Sequence, residues 1–208
     1  MQAQGRGDAL ARRRMFPHTG AMSEFSDALS EKHIAFITRQ PVFFVATAAD
    51  NARINLSPKG YDAFRVLSPS RAAYLDLGGS GNETHAHLVA DGRITIMFCA
   101  FENPALILRI YGRGRPVLPQ DADWDALAAH FTILPGTRQI FDITVDSVQT
   151  SCGWGVPVME FDRERETLKK AHRQSKPDAW LAKTAKRTRS IDGLPTTPTT
   201  RFFTDVEG

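Results

Sequence analysis

The chain has no apolar run near 18 residues, the length that a membrane-crossing helix needs, so nothing is expected to span a membrane. It has only two cysteines, Cys99 and Cys152, in apolar or glycine-rich surroundings and without metal-ligand spacing. The expectation is two reduced structural thiols in a cytoplasmic protein, with no disulfide and no metal site. Surplus charge is also scarce: 26 Lys and Arg against 23 Asp and Glu leave only +3. The basic residues from Arg163 to Arg189 are interleaved with Asp162, Glu164, Glu166 and Asp178, the habit of a solvated helix rather than of a nucleic-acid surface. No Ser–His–Asp arrangement, pair of catalytic acids, phosphate-binding P-loop or internal repeat stands out.

What is present is the material of one soluble domain. A chain of 208 residues, 42% hydrophobic and 24% charged, buries roughly 70% of its unfolded surface without a staple. Residues 1–21 contain Gly5, Gly7, Pro17 and Gly20 but no secretory apolar core, and are expected to form a disordered tail. Residues 22–208 are expected to form the domain, with a C-terminal helical extension.

Ser23, followed by Phe25, Ala28, Leu29, Ile34 and Ile37, predicts a helical opening segment that stops before Pro41. Short strands follow in hairpins: 42–47 with 53–57, 64–67 with 72–77, and 93–100 with 106–117. A helix over 124–131, a strand over 139–148, and helix from Asp162 to about Thr188 with a break at Pro177 complete the pattern. Six or more sequential strands with a few helices point to a small antiparallel barrel, although periodicity alone does not separate a barrel from a sandwich.

Two stretches carry chemistry. In Arg53-Ile-Asn-Leu-Ser-Pro-Lys-Gly60, a strand's period of two puts Arg53, Asn55, Ser57 and Lys59 on one face. Two cations and two neutral hydrogen-bonding groups suit a phosphate. In Gly78-Gly-Ser-Gly-Asn-Glu-Thr-His-Ala-His87, a glycine-rich turn runs into a helix whose first N–H groups can face an anion. Gly78, Gly79 and Gly81 permit close approach and positive φ, and Ser80 and Glu83 stand at capping-box spacing. The stretches read as two halves of one phosphate site, with Asn82, Glu83 and Thr84 beside the anion. His85 and His87 project about 200° apart on a helix, against a metal; packing or surface roles are expected, with one of them near a ligand chain. Arg109, Tyr111, Arg113 and Arg115 share a strand face, either solvated or lining a site. Trp154, between two glycines, is either core or a wall for a planar ring.

In the order Ser57-Pro58-Lys59-Gly60, Leu75-Asp76-Leu77-Gly78 and Gly79-Ser80-Gly81-Asn82-Glu83-Thr84-His85, the chain resembles the pyridoxamine 5'-phosphate oxidase-related FMN-binding proteins. Tyr111–Pro116, Ser151–Pro157 and Ser190-Ile191-Asp192-Gly193-Leu194-Pro195 extend the match from about Phe25 to Pro195. The resemblance implies a mainly β fold with flanking helices, an antiparallel six-stranded-type split β-barrel. It also implies a homodimer with FMN at the subunit boundary. The FMN contacts it implies are Arg53, Asn55, Ser57, Lys59, Asn82, Glu83 and Thr84. Apolar strand faces that include Ile94, Ile96 and Phe98 add to the expectation of a dimer. Related oxidases carry Ser-Arg-Lys where this chain has Asn82-Glu83-Thr84, and an arginine-rich terminal motif where it runs to Ser190–Pro195, so vitamin B6 oxidation is not expected. Three readings stand: an FMN-dependent oxidoreductase taking a small-molecule substrate or an electron donor such as NAD(P)H; a non-catalytic flavin- or haem-binding redox module; and a deazaflavin-dependent reductase on the same barrel.

Overall fold

Eight strands form one antiparallel sheet in the computed structural model, which describes residues 23–204. The expected N-terminal tail lies outside the described residues. In chain order the elements are β1 (Ser23–Ser26), α1 (Glu31–Thr38), β2 (Phe43–Thr47), β3 (Asn55–Lys59), β4 (Phe64–Ser68), β5 (Arg71–Leu77) and α2 (Glu83–Ala90). They continue with β6 (Arg93–Cys99), β7 (Ile107–Val117), α3 (Trp124–Ala128), β8 (Thr137–Ser151), α4 (Thr167–Arg173) and α5 (Pro177–Ala185).

The three expected hairpins are present, each within two residues of the expected bounds at every end. The opening segment differs. Residues 23–26 are a strand on β8, and the helix begins only at Glu31, after Ser30 caps it by accepting from the His33 N–H while the His33 ring accepts from the Ser30 N–H. The cap won because it satisfies N–H groups that the helix itself cannot. The C-terminal helical stretch breaks before Pro177 as expected, α4 ending at Arg173 and α5 starting with Pro177 in its first turn, where a missing N–H costs nothing, but it opens at Thr167 and not at Asp162.

The strand order is β3-β2-β6-β7-β8-β5-β4, with β1 on β8 off this path, so β3 and β4, consecutive in the chain, end the path. Side chains close the seam between them. Phe64 on β4 meets Phe43 on β2 at 5.3 Å and Phe98 on β6 at 5.1 Å between ring centres, both edge-on, as aromatic quadrupoles prefer. This is a split barrel with a dry interior of Val45, Ile96, Leu108, Ile110, Ile140 and Phe141. Ile94, Ile96 and Phe98 belong to that interior and are fully covered within one chain, so they lend nothing to a dimer. Their alternation marked a face, and the face turned inward.

Helix α2 packs on β2, β6 and β7 and buries Ala86 and Leu88 together with both histidines. At Gly112, beside a bulge between β7 and β8, a Cβ would stand 2.1 Å from the Thr144 carbonyl oxygen, so no side chain fits where those strands converge. The outer face of β7 is tied to its own chain: Arg109 donates to Ser151, Tyr111 to Gln149, Arg113 to the Asp91 carbonyl, and Arg115 to Asp123 and Asp142.

Candidate phosphate and cofactor site

Strand β3 begins only at Asn55, which leaves Arg53 on the approach to it, with its side chain 70% exposed. Asn55 points inward and donates to the Thr84 hydroxyl on α2 at 3.0 Å, so this pair joins the two motifs. Ser57 donates to the Asn55 carbonyl oxygen at a long 3.4 Å. Asn82 is the N-cap of α2 but makes no side-chain cap bond; its oxygen accepts instead from Gln139 at 2.8 Å. The expected Ser80–Glu83 capping box is therefore absent. The helix starts two residues later than that spacing required, and its N-cap side chain makes no cap bond.

Glu83 is turned aside. Both of its carboxylate oxygens lie 3.1 Å from the Ile191 N–H, a residue of the Ser190–Pro195 motif. Arg53 meets the same motif: the Asp192 carboxylate accepts from the Arg53 N–H at 2.8 Å and from its guanidinium. Arg53, Asn55, Glu83 and Thr84 are thus drawn to one place, the start of α2, with residues 190–192 beside them.

Lys59 goes elsewhere. Its ammonium donates to the Asp76 carboxylate at 3.0 Å, and Asp76 is 2% exposed. Six residues of extended chain separate Arg53 from Lys59, roughly 20 Å, and the two cations face different carboxylates. As they stand, the two cations are engaged separately. Asp76 also accepts from Arg138 at 2.7 and 3.0 Å and from Gln139 at 2.9 Å. Burial alone would raise the Asp76 carboxyl; Arg138 and Lys59 beside it, with the donor from Gln139, outweigh that and hold it well below the usual carboxylate range. Lys59 also borders a cavity of about 600 Å³ whose walls include Tyr61, Phe101, Met159 and Phe161.

The glycine-rich turn works differently from expectation. Among the described glycines, positive φ falls at Gly92, Gly136, Gly153 and Gly193, and not at Gly78, Gly79 or Gly81. What the turn needs is room and donors. A Cβ on Gly78 would come within 2.8 Å of the Trp180 ring, and the carbonyls of Gly78, Gly79 and Gly81 accept from His172, Arg187 and Arg138. Both helix histidines are buried rather than superficial. His85 bonds Gln139 through Nδ1 at 2.7 Å and accepts the Thr197 N–H on Nε2 at 3.0 Å; His87 Nδ1 bonds Thr47 at 3.0 Å, and its Nε2 is buried without a partner. Trp154 is 78% exposed and so is no core residue.

Sequence reasoning missed Asp76, Arg138, Gln139 and Asp192. A carboxylate inside the apolar strand Tyr74-Leu75-Asp76-Leu77 was the available signal, because a buried charge requires a partner. Asp192 carried no such sign.

Fold and site together define an antiparallel split-barrel protein with an anion-suited helix start at the edge of its sheet. The family model for pyridoxamine 5'-phosphate oxidase matches residues 29–152, and the chain belongs to that family. A curated relative, the pyridoxamine 5'-phosphate oxidase family protein ustO of Aspergillus flavus, is 38% identical over 151 residues, covering 70% of this chain. The chain spans only 61% of that relative's length. A solved structure from Lactobacillus delbrueckii, provisionally described as a pyridoxamine 5'-phosphate oxidase, shares the fold at 13% identity, with a TM-score of 0.50 over 61% of this chain and 98% of its own. An FMN-binding protein from Syntrophomonas wolfei matches at 11% identity and a TM-score of 0.43, over 61% of this chain and 82% of its own. Among the described residues, no helix is long and apolar enough to cross a membrane, and no group of three metal-binding side chains occurs.

Proposed function

We propose that the chain binds FMN and works as an FMN-dependent oxidoreductase on a small molecule, with a donor such as NAD(P)H. One observation carries this: the Asn55–Thr84 bond brings the approach to β3, with Arg53, against a helix start that has no side-chain cap. That set fits a phosphate. Arg53 offers a planar fork, Thr84 a hydroxyl, and the first turn of α2 its N–H groups, while Glu83 is kept aside by Ile191. Asn82 and Ser57 hold the frame through Gln139 and Asn55.

Lys59 takes the ring end. With one of its three donors on Asp76, it keeps two for a group in the adjoining cavity, whose volume lies within the range of cofactor sites. Bound FMN supplies two-electron transfer at its N5 position; the chain supplies anchoring, exclusion of water and a cation beside the ring. With Asn82-Glu83-Thr84 at the helix start, pyridoxamine 5'-phosphate is a poor substrate. The working unit is a homodimer, a reading favoured by family membership and by exposed apolar side chains such as Trp154, Val158, Met159 and Phe161.

The absorption spectrum of the purified protein, followed by titration with FMN and riboflavin, tests the reading. Flavin bands and a preference for FMN of about 10- to 100-fold are expected, the worth of a charge-assisted phosphate contact. Equal affinity for the two flavins refutes the phosphate placement. A haem spectrum replaces the cofactor. Sedimentation giving only the 23.0 kDa species refutes the dimer.

A further inference from the structure

The segment from Arg187 to Thr197 crosses the phosphate end of the site, and its two ends are held in different ways. Its base is built in. Ser190 and Thr196 are buried, the Thr196 hydroxyl donates to the Arg187 carbonyl at 2.7 Å, and the Thr197 N–H is fixed on His85. The turn is shaped in advance: the Ser190 hydroxyl accepts the N–H groups of Asp192 and Leu194 at 3.2 and 3.1 Å, and Gly193 takes φ +81°, where a side chain would be strained. The tip is held otherwise. Ile191 is 72% exposed and Leu194, past the turn, is half-buried. Polar contacts hold the leading side of the tip: Ile191 N–H on Glu83, and Asp192 on the Arg53 N–H and guanidinium.

We propose that residues 187–197 form a latch in which the Asp192 carboxylate occupies Arg53 in place of a ligand phosphate, and that a phosphate-bearing ligand displaces this carboxylate when it binds while Ile191 keeps Glu83 aside. The latch rests on the phosphate placement proposed above. A carboxylate and a phosphate present the same paired oxygens to a guanidinium, but the phosphate carries nearly twice the charge. The Arg53 side chain is 70% exposed and the Asp192 side chain 12%, so an incoming anion has access to the guanidinium; a dianion outcompetes the single carboxylate charge there, whereas a flavin without phosphate does not. The device therefore sorts ligands by their anionic end. Glu83, which opposes a phosphate, stays on the latch, so removing the whole segment mixes two effects; Asp192→Asn isolates the competing charge.

The experiment titrates the full chain and its Asp192→Asn variant with FMN and with riboflavin, and follows trypsin cleavage after Arg187 and Arg189 with each flavin. Asp192→Asn is expected to bind FMN roughly twofold to fivefold tighter with riboflavin unchanged, the scale of a solvent-accessible ion pair. FMN, and not riboflavin, accelerates cleavage of the segment in the unmodified chain. FMN uptake by the variant alone supports the latch most strongly. If FMN is preferred over riboflavin but Asp192→Asn binds it equally or more weakly, the phosphate site stands and the latch is refuted, Asp192 then positioning Arg53. If neither protein prefers FMN, or neither binds a flavin, both proposals fall.

Discussion

Arg53 and Lys59 look equivalent in the sequence, two cations on one alternating face, yet the fold gives them opposite surroundings. Arg53 is 70% exposed and meets Asp192 on a turn tip; Lys59 is 25% exposed and meets a carboxylate that is 2% exposed and bonded to two further donors. Pairing therefore means different things at the two ends. At the Arg53 end water reaches the guanidinium but little of the Asp192 carboxylate, 12% exposed, and the proposed latch requires this bond to exchange for a ligand. At the Lys59 end the carboxylate has lost its water, and its partners are structural necessities. The same residue types produce a switchable contact at one end and a fixed frame at the other.

Breaking the frame should have the largest effect. Asp76→Asn leaves Arg138 buried beside an uncharged amide, and removing one partner of a buried pair costs about 3–5 kcal/mol. Urea unfolding should show that loss, while Asp192→Asn should cost about 1 kcal/mol or less, because its partner arginine is 70% exposed although Asp192 itself is 12% exposed. Equal losses in the two variants would erase the contrast.

Next in size is Arg53→Ala. It should weaken FMN by about 10- to 100-fold, leave riboflavin unchanged, and leave stability within about 0.5 kcal/mol. A loss shared by both flavins would move Arg53 from the phosphate to the ring.

The contrast also shows how far the sequence could be read. The hairpins were legible because strand alternation is a local property: Phe43, Val45 and Thr47 of β2 turn inward at a period of two, and β3 pairs with it across a short turn. Asn55 and Thr84 were legible as site candidates for the same reason, each being marked by its own motif. The partners were not. Arg53 and Asp192 lie 139 residues apart, and Lys59 meets Asp76 only because β5 lies on β8 at the far side of the seam. Nothing periodic links such pairs. A local motif names a donor, but it does not say whether the fold has already given that donor an acceptor.

Lys59→Met is a smaller and sharper perturbation. Arg138 and Gln139 still hold Asp76, so the expected cost is about 1 kcal/mol in urea unfolding. If Lys59 serves the ring end, FMN and riboflavin should weaken by the same factor. A selective loss of FMN would return Lys59 to the phosphate and contradict the division between the two ends.

The mildest test is acidity. Burial lowers His85 and His172 below the ordinary histidine value, a hydrogen bond to Gln139 or to the Gly78 carbonyl opposing it only in part, and burial shifts His33 the same way. The folded chain therefore keeps these rings neutral where the unfolded chain, with histidines near 6.5, takes up protons. Stability should be full above about pH 7 and should decline as pH falls through about 6.5 toward the folded-state values. Asp76 behaves differently. Its folded carboxyl is depressed, so its contribution persists until pH falls below the unfolded carboxylate value near 4. Acid should thus loosen His85, which accepts the Thr197 N–H at the latch base, and His172, whose Nδ1 accepts the Trp180 indole N–H, well before it touches the frame at Asp76. Urea midpoints measured from pH 7.5 to 4.5 should slope in the unmodified chain and flatten in part in His85→Gln. A curve level down to pH 5, or one that His85→Gln leaves unaltered, would mean that the latch base does not answer to acidity and that the acid response lies at other groups.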